Sequence, residues 1–157
     1  MGKNRLNILI LIALLLTTTA CSNNSSGDSE TRNPDSIISE TKISKDLKVL
    51  ELDTNHENNK KVLDVFNVEL KDGVYAYDED KYKTYILINS INKEYSDFSY
   101  KLDKDKKILT LSYKTSEGKT TNNRMLFVIE SEEKNQYEEI KLVNNGNDDG
   151  FLGVFTK

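Results

Sequence analysis

Apolar residues in this chain fall into one long block and many short ones. Ile8 to Leu16 is an unbroken apolar run of nine residues. Ser22 to Asp35 then holds no Val, Leu, Ile or aromatic residue. Beyond it the pattern becomes that of strands. Phe98, Tyr100 and Leu102 alternate with polar residues, Asp103-Lys104-Asp105-Lys106 interrupts, and Leu109, Leu111 and Tyr113 alternate again. That is a hairpin with one buried face. Tyr85 to Ile88 and Met125 to Ile129 are apolar at every position, as in central strands covered on both sides. Asp72-Gly73 reads as a turn between Val68–Leu70 and Val74–Tyr77. Ile140–Val143 and Phe151–Phe155 read as two closing strands. One helix is expected near residues 55–66, where Thr54 and Glu57 have capping-box spacing and Val62, Leu63 and Phe66 share a helical face.

These elements predict a mainly β fold: a single small β-sandwich or barrel-like antiparallel domain over residues 37–157, with one short helix near residues 55–66. A segment of that length is large enough to build its own core. The segment before it, residues 21–36, is too polar to offset its ordering entropy and reads as a disordered tether. A flexible tether of that length has an end-to-end distance of roughly 20 Å.

The N-terminus adds a location. Lys3 and Arg5 precede the apolar run, and Thr17-Thr18-Thr19-Ala20-Cys21-Ser22 follows it. A run of nine suits a signal-peptide core and is too short for a membrane-spanning helix of about 20 residues. Residues 1–22 resemble the signal peptide and lipobox of bacterial lipoprotein precursors. The resemblance implies removal of residues 1–20 and diacylation, palmitate included, of Cys21, the only cysteine in the chain. Thr18 departs from the Leu usual three positions before that cysteine. Two acyl chains anchor a protein stably where one does not. The expected location is therefore the outer face of the cell membrane. Three arginines beside abundant Lys and Asn point to a low-GC Gram-positive source. In a Gram-negative cell Ser22 would direct the chain to the outer membrane. The resemblance ends at Ser22 and implies nothing about the domain.

Charge narrows the partners. Without Lys3 and Arg5, 20 basic side chains face 26 acidic ones, a net −6. That sign disfavours nucleic acid and anionic headgroups. The expected partners are the membrane, through the Cys21 lipid, and an envelope protein or solute.

Candidate chemistry is sparse. His56, the only histidine, lies in a polar stretch at the expected helix start, and no Gly-x-Ser-x-Gly elbow accompanies it. One histidine and a lipidated cysteine do not make a zinc site. Asn145-Gly146-Asn147-Asp148-Asp149-Gly150 spaces oxygen ligands like a calcium loop. Asn145 replaces the first Asp, however, and Thr156 stands where a bidentate Glu is needed. The segment reads more simply as a turn using left-handed backbone angles. Asp78-Glu79-Asp80 reads as a solvated turn. No cofactor, metal or catalytic residue is expected. All eight tyrosines lie between Tyr75 and Tyr137. Tyr75 and Tyr77 share one strand face and are the candidate interaction surface, because tyrosine supplies contact area and a hydroxyl at low entropic cost. The expected function is a non-enzymatic, membrane-anchored binding or interaction module. The alternatives are an immunity or inhibitor lipoprotein and a carboxylate-based secreted hydrolase.

Overall fold

The computed structural model describes residues 36–66, 71–118, 123–134 and 136–157. Cys21, the signal segment and Val68–Leu70 lie outside the described residues. Among the described residues ten strands and one helix follow in order: β1 (Ile37–Lys42), β2 (Leu47–Leu52), α1 (Glu57–Val65), β3 (Gly73–Asp80), β4 (Lys83–Ser90), β5 (Lys93–Asp103), β6 (Ile108–Glu117), β7 (Asn123–Ser131), β8 (Glu139–Asn144), β9 (Asn147–Asp149) and β10 (Gly153–Thr156). They form a six-stranded sheet in the order β1-β2-β7-β4-β3-β10 and a four-stranded sheet in the order β5-β6-β8-β9. The fold is thus mainly β and sandwich-like. Both sheets are open, so the barrel alternative is set aside. The antiparallel expectation needs correction at two places: β10 pairs with β3, and β8 with β6, in parallel. In each case strands of the other sheet intervene between the two partners.

The expected hairpin is present as β5 and β6. A bulge interrupts its register between Ser96 and Ser99, with Asp97 at φ 55°. One extra residue lets Tyr95 and Phe98 face the same way. Both pack against the inter-sheet core, and the Phe98 ring lies 5.2 Å from that of Phe127 across the layers. β4 and β7 sit side by side at the centre of the larger sheet, covered on both faces. On one face Val49, Val74, Ala76, Ile86 and Ile129 meet Leu109, Leu111 and Leu142 of the smaller sheet. On the other, Leu50, Tyr85, Leu87, Leu126 and Val128 lie under Val62, Leu63 and Phe66 from α1 and its C-terminal end.

The helix begins two residues later than expected. His56, not Thr54, is the N-cap, its Nδ1 accepting the Asn58 N–H at 3.4 Å. Asp53 explains the delay: its carboxylate takes the Asn55 N–H at 2.9 Å and holds the chain in a local turn. Buried Asn59 docks the helix, donating to the carbonyls of Asp53 and Ser36 at 2.9 and 3.2 Å.

Candidate interaction surfaces

Tyr75 and Tyr77 are not the exposed face expected of them. Their relative exposures are 6% and 7%. Val74 and Ala76 do take the opposite face, but the tyrosine face is the one beneath α1. Phe66 meets the Tyr77 ring edge-on at 6.3 Å, and the Tyr85 ring stacks on Tyr77 at 6.0 Å. The Tyr75 hydroxyl is consumed by the Lys71 backbone, accepting its N–H at 3.0 Å and donating to its carbonyl at 3.2 Å. Alternation correctly paired the two side chains. It could not show that a nine-residue helix covers them.

The other residues singled out from sequence resolve as follows. His56 serves as a helix cap. The turn expected at Asp72-Gly73 has its first arm, Val68–Leu70, outside the described residues; the Asp72 carboxylate accepts the N–H groups of Ile91 and Asn92 and staples the β4–β5 connection. Burial opposes its ionisation, but those donors hold its pKa below the ordinary 3.8. Asn145 and Gly146, at φ 51° and 81°, form the two-residue turn between β8 and β9. Consecutive strand residues point to opposite faces. Accordingly Asp148 pairs with Lys141 at 2.7 Å, while Asp149 turns inward to Tyr113. The two carboxylates do not converge on one ion. Among the described residues no group of three or more His, Cys, Asp or Glu could hold a metal.

Tyr113 and Asp149 anchor a polar network at one end of the sandwich. The Tyr113 hydroxyl donates to Asp149 Oδ2 at 2.9 Å, and the Asn144 amide donates to the same oxygen at 3.2 Å. Thr115 in turn donates to Asn144 Oδ1 at 3.0 Å. Burial, then Asp149, pushes the Tyr113 phenol well above its usual range. Burial opposes ionisation of Asp149, but the Gly150 N–H, Tyr113, Asn144 and nearby Lys93 hold its pKa below 3.8. Beside it, burial and the charges of Asp72 and Asp149 push Tyr95 up to about 12. An open groove of 460 Å³ runs past Tyr95, lined by Ser90, Glu94, Ser96, Ser116, Asn123 and Met125.

A second depression, of 410 Å³, opens at the β3–β4 turn. Its walls carry Asp78, Asp80 and Glu138 against a single ammonium, Lys81, with Tyr137, Thr84, Ser131 and Gln136 between them. The Tyr137 hydroxyl donates to Thr84 Oγ1 at 3.1 Å, and Thr84 Oγ1 donates to Asp78 at 2.7 Å. Asp80 accepts the Tyr82 N–H at 2.7 Å. Glu138 reaches Lys107 at 2.6 Å outside the depression. Burial, with the charges of Asp78 and Asp80, raises the Tyr137 pKa and keeps the phenol protonated as a donor. The site therefore offers fixed acceptor oxygens beside an aromatic ring, which suits a cationic group. The Asp78–Asp80 segment is a strand end oriented by these bonds rather than a freely solvated turn. Tyr137 lies 53 positions from Thr84, and no local pattern joins them.

No protein-family model, no curated protein sequence and no solved structure matches this chain.

Proposed function

We propose that this chain is a lipid-anchored, extracytoplasmic, non-enzymatic interaction module. Cys21 holds it on the outer face of the cell membrane, and the depression around Tyr137 receives a basic segment of an envelope or incoming protein. The observation that carries this reading is the hydrogen-bonded chain from Tyr137 through Thr84 to Asp78, which orients a carboxylate beside Asp80 in an open depression. Groups fixed in advance bind with less ordering cost than free surface charges. The net −6 beyond the signal segment favours encounter with a basic partner. An immunity or inhibitor lipoprotein is one case of this reading.

A photoreactive amino acid at Lys81, an exposed residue on the rim, tests it in living cells. The expected adduct is with a basic extracytoplasmic protein. It should disappear in the Asp78→Asn/Asp80→Asn variant and be absent when the label is moved to exposed Ser99 on β5. Equal labelling from both positions, or an adduct that survives the neutralised pair, contradicts the reading.

A further inference from the structure

The turns 43–46, 81–82 and 104–107 meet the β7–β8 connection at one end of the sandwich. Main-chain bonds tie them together. The Ser131 N–H donates to the Tyr82 carbonyl at 2.9 Å, the Glu132 N–H to that of Asp46 at 2.8 Å, and the Glu138 N–H to that of Lys107 at 2.8 Å. The depression around Tyr137 opens on this end, and a neighbour of 340 Å³ lies beside it. Gln136 lines both. The border is an ion pair: Glu138 belongs to the Tyr137 depression, Lys107 to its neighbour, and the two meet at 2.6 Å.

The neighbour has the opposite sign. Lys45, Lys104, Lys107 and Lys134 line it against Asp46 and Glu133, four ammoniums to two carboxylates or a net +2. The chain beyond the signal segment carries net −6. Lys45, Lys104 and Lys134 are exposed and come from three separate connections. Among the described residues none of these three forms an ion pair. Glu133 is engaged by the Gln136 amide, which donates to it at 3.1 Å. Cationic groups held together in a concave surface concentrate a positive potential there.

We infer that the lysine-lined depression is an anion subsite, filled by an acidic side chain of the same protein segment whose basic group enters the Tyr137 depression. The inference rests on the reading above and narrows the partner to a segment of mixed charge. The juxtaposition of signs selects that occupant. An anionic polymer seated on the lysines would lie against Asp78, Asp80 and a net-acidic chain. A uniformly basic segment would meet the ammoniums next door. Exposed ion pairs attract weakly, whereas like charges set against each other exclude a partner strongly. A segment with basic and acidic groups in the matching order satisfies both depressions.

Amine footprinting of the full chain tests this. Intact cells and detergent-purified protein are treated briefly with membrane-impermeant sulfosuccinimidyl acetate, and acetylation is read by mass spectrometry. Lys60 and Lys61, exposed on α1, report access of the reagent. A partner at ~10 times its dissociation constant leaves roughly one copy in ten free, so Lys104 and Lys134 should react about tenfold more slowly in cells, relative to Lys60 and Lys61, than after purification. Asp78→Asn/Asp80→Asn should abolish the protection, because one segment fills both depressions. Equal reactivity in cells and after purification overturns the inference. So does protection that survives Asp78→Asn/Asp80→Asn, the result expected of a separate anionic polymer.

Removing the lysine charges gives a second measure. Lys104→Gln/Lys134→Gln should lower the Lys81 adduct several-fold, whereas Lys60→Gln/Lys61→Gln, with the same change in net charge, should leave it intact. An undiminished adduct in Lys104→Gln/Lys134→Gln leaves the partner basic and removes its acidic group. An absent Lys81 adduct in the otherwise native chain overturns the interaction reading and this inference with it.

Discussion

The Tyr113 phenol and the Asp149 carboxylate meet at 2.9 Å across the smaller sheet, joining β6 to the short β9. Tyr113 is only 3% exposed, and Asp149 is the partner to which its hydroxyl donates. A hydrogen bond to a charged group contributes about 1.5–3 kcal/mol. Tyr113→Phe should therefore lower stability by about 2 kcal/mol, and Asp149→Asn by a similar amount. Denaturant midpoints of the two single variants and the double should show a coupling of at least ~0.5 kcal/mol. Additive losses would remove the pair as a structural link.

Stability should fall at both extremes of pH, for opposite reasons. Burial raises the phenols of Tyr95, Tyr100, Tyr113 and Tyr137, Tyr95 to about 12. Their folded pKa values exceed the unfolded 10, so their contribution is complete below pH 10 and is lost as pH rises toward the folded values. Asp72 and Asp149 titrate below 3.8 when folded. Their contribution is present above the unfolded value and is lost as pH falls through the lower folded ones. Urea midpoints between pH 2 and 12 should trace a plateau at neutral pH that declines on both sides. Unchanged midpoints from pH 9 to 12 would contradict the tyrosine environments.

Tyr75 and Tyr77 should behave as core residues. Tyr75→Ala and Tyr77→Ala should each cost ~3–5 kcal/mol, as large aromatic truncations do. Tyr82→Ala, at a position 38% exposed, should cost about 0.5 kcal/mol or less. A loss below ~1 kcal/mol at Tyr75 or Tyr77 would mean that α1 does not cover the sheet.

Calcium should leave the melting temperature unchanged, because Asp148 and Asp149 leave the strand on opposite faces. A bound ligand at ~100 times its dissociation constant stabilises by about 2.7 kcal/mol. A shift of that size in millimolar calcium would show that the β8–β9 turn rearranges around an ion.

The strands were legible because alternation is a local property. The β5–β6 hairpin, the two-sided β4 and β7, and the closing strands β8 and β10 all follow from it. Pairing direction is not local, and the parallel partners of β6 and β3 depend on excursions through the other sheet. Burial of Tyr75 and Tyr77 was missed for the same reason. A strand pattern says which side chains share a face, not whether Phe66 comes back to cover it. The Tyr137–Thr84–Asp78 chain joins the β3–β4 hairpin to a residue 53 positions from Thr84, and that link carries no spacing signal. The Asn145-Gly146 turn was legible because few residues reach positive φ without strain.

The most direct test of the central claim is metabolic labelling of the full chain with an alkyne fatty acid. The unsubstituted chain should incorporate the label and partition with membranes, whereas Cys21→Ser should incorporate none and should leave the membrane fraction or remain uncut. Undiminished incorporation in Cys21→Ser, or an unlabelled native chain, would contradict a lipid-anchored module.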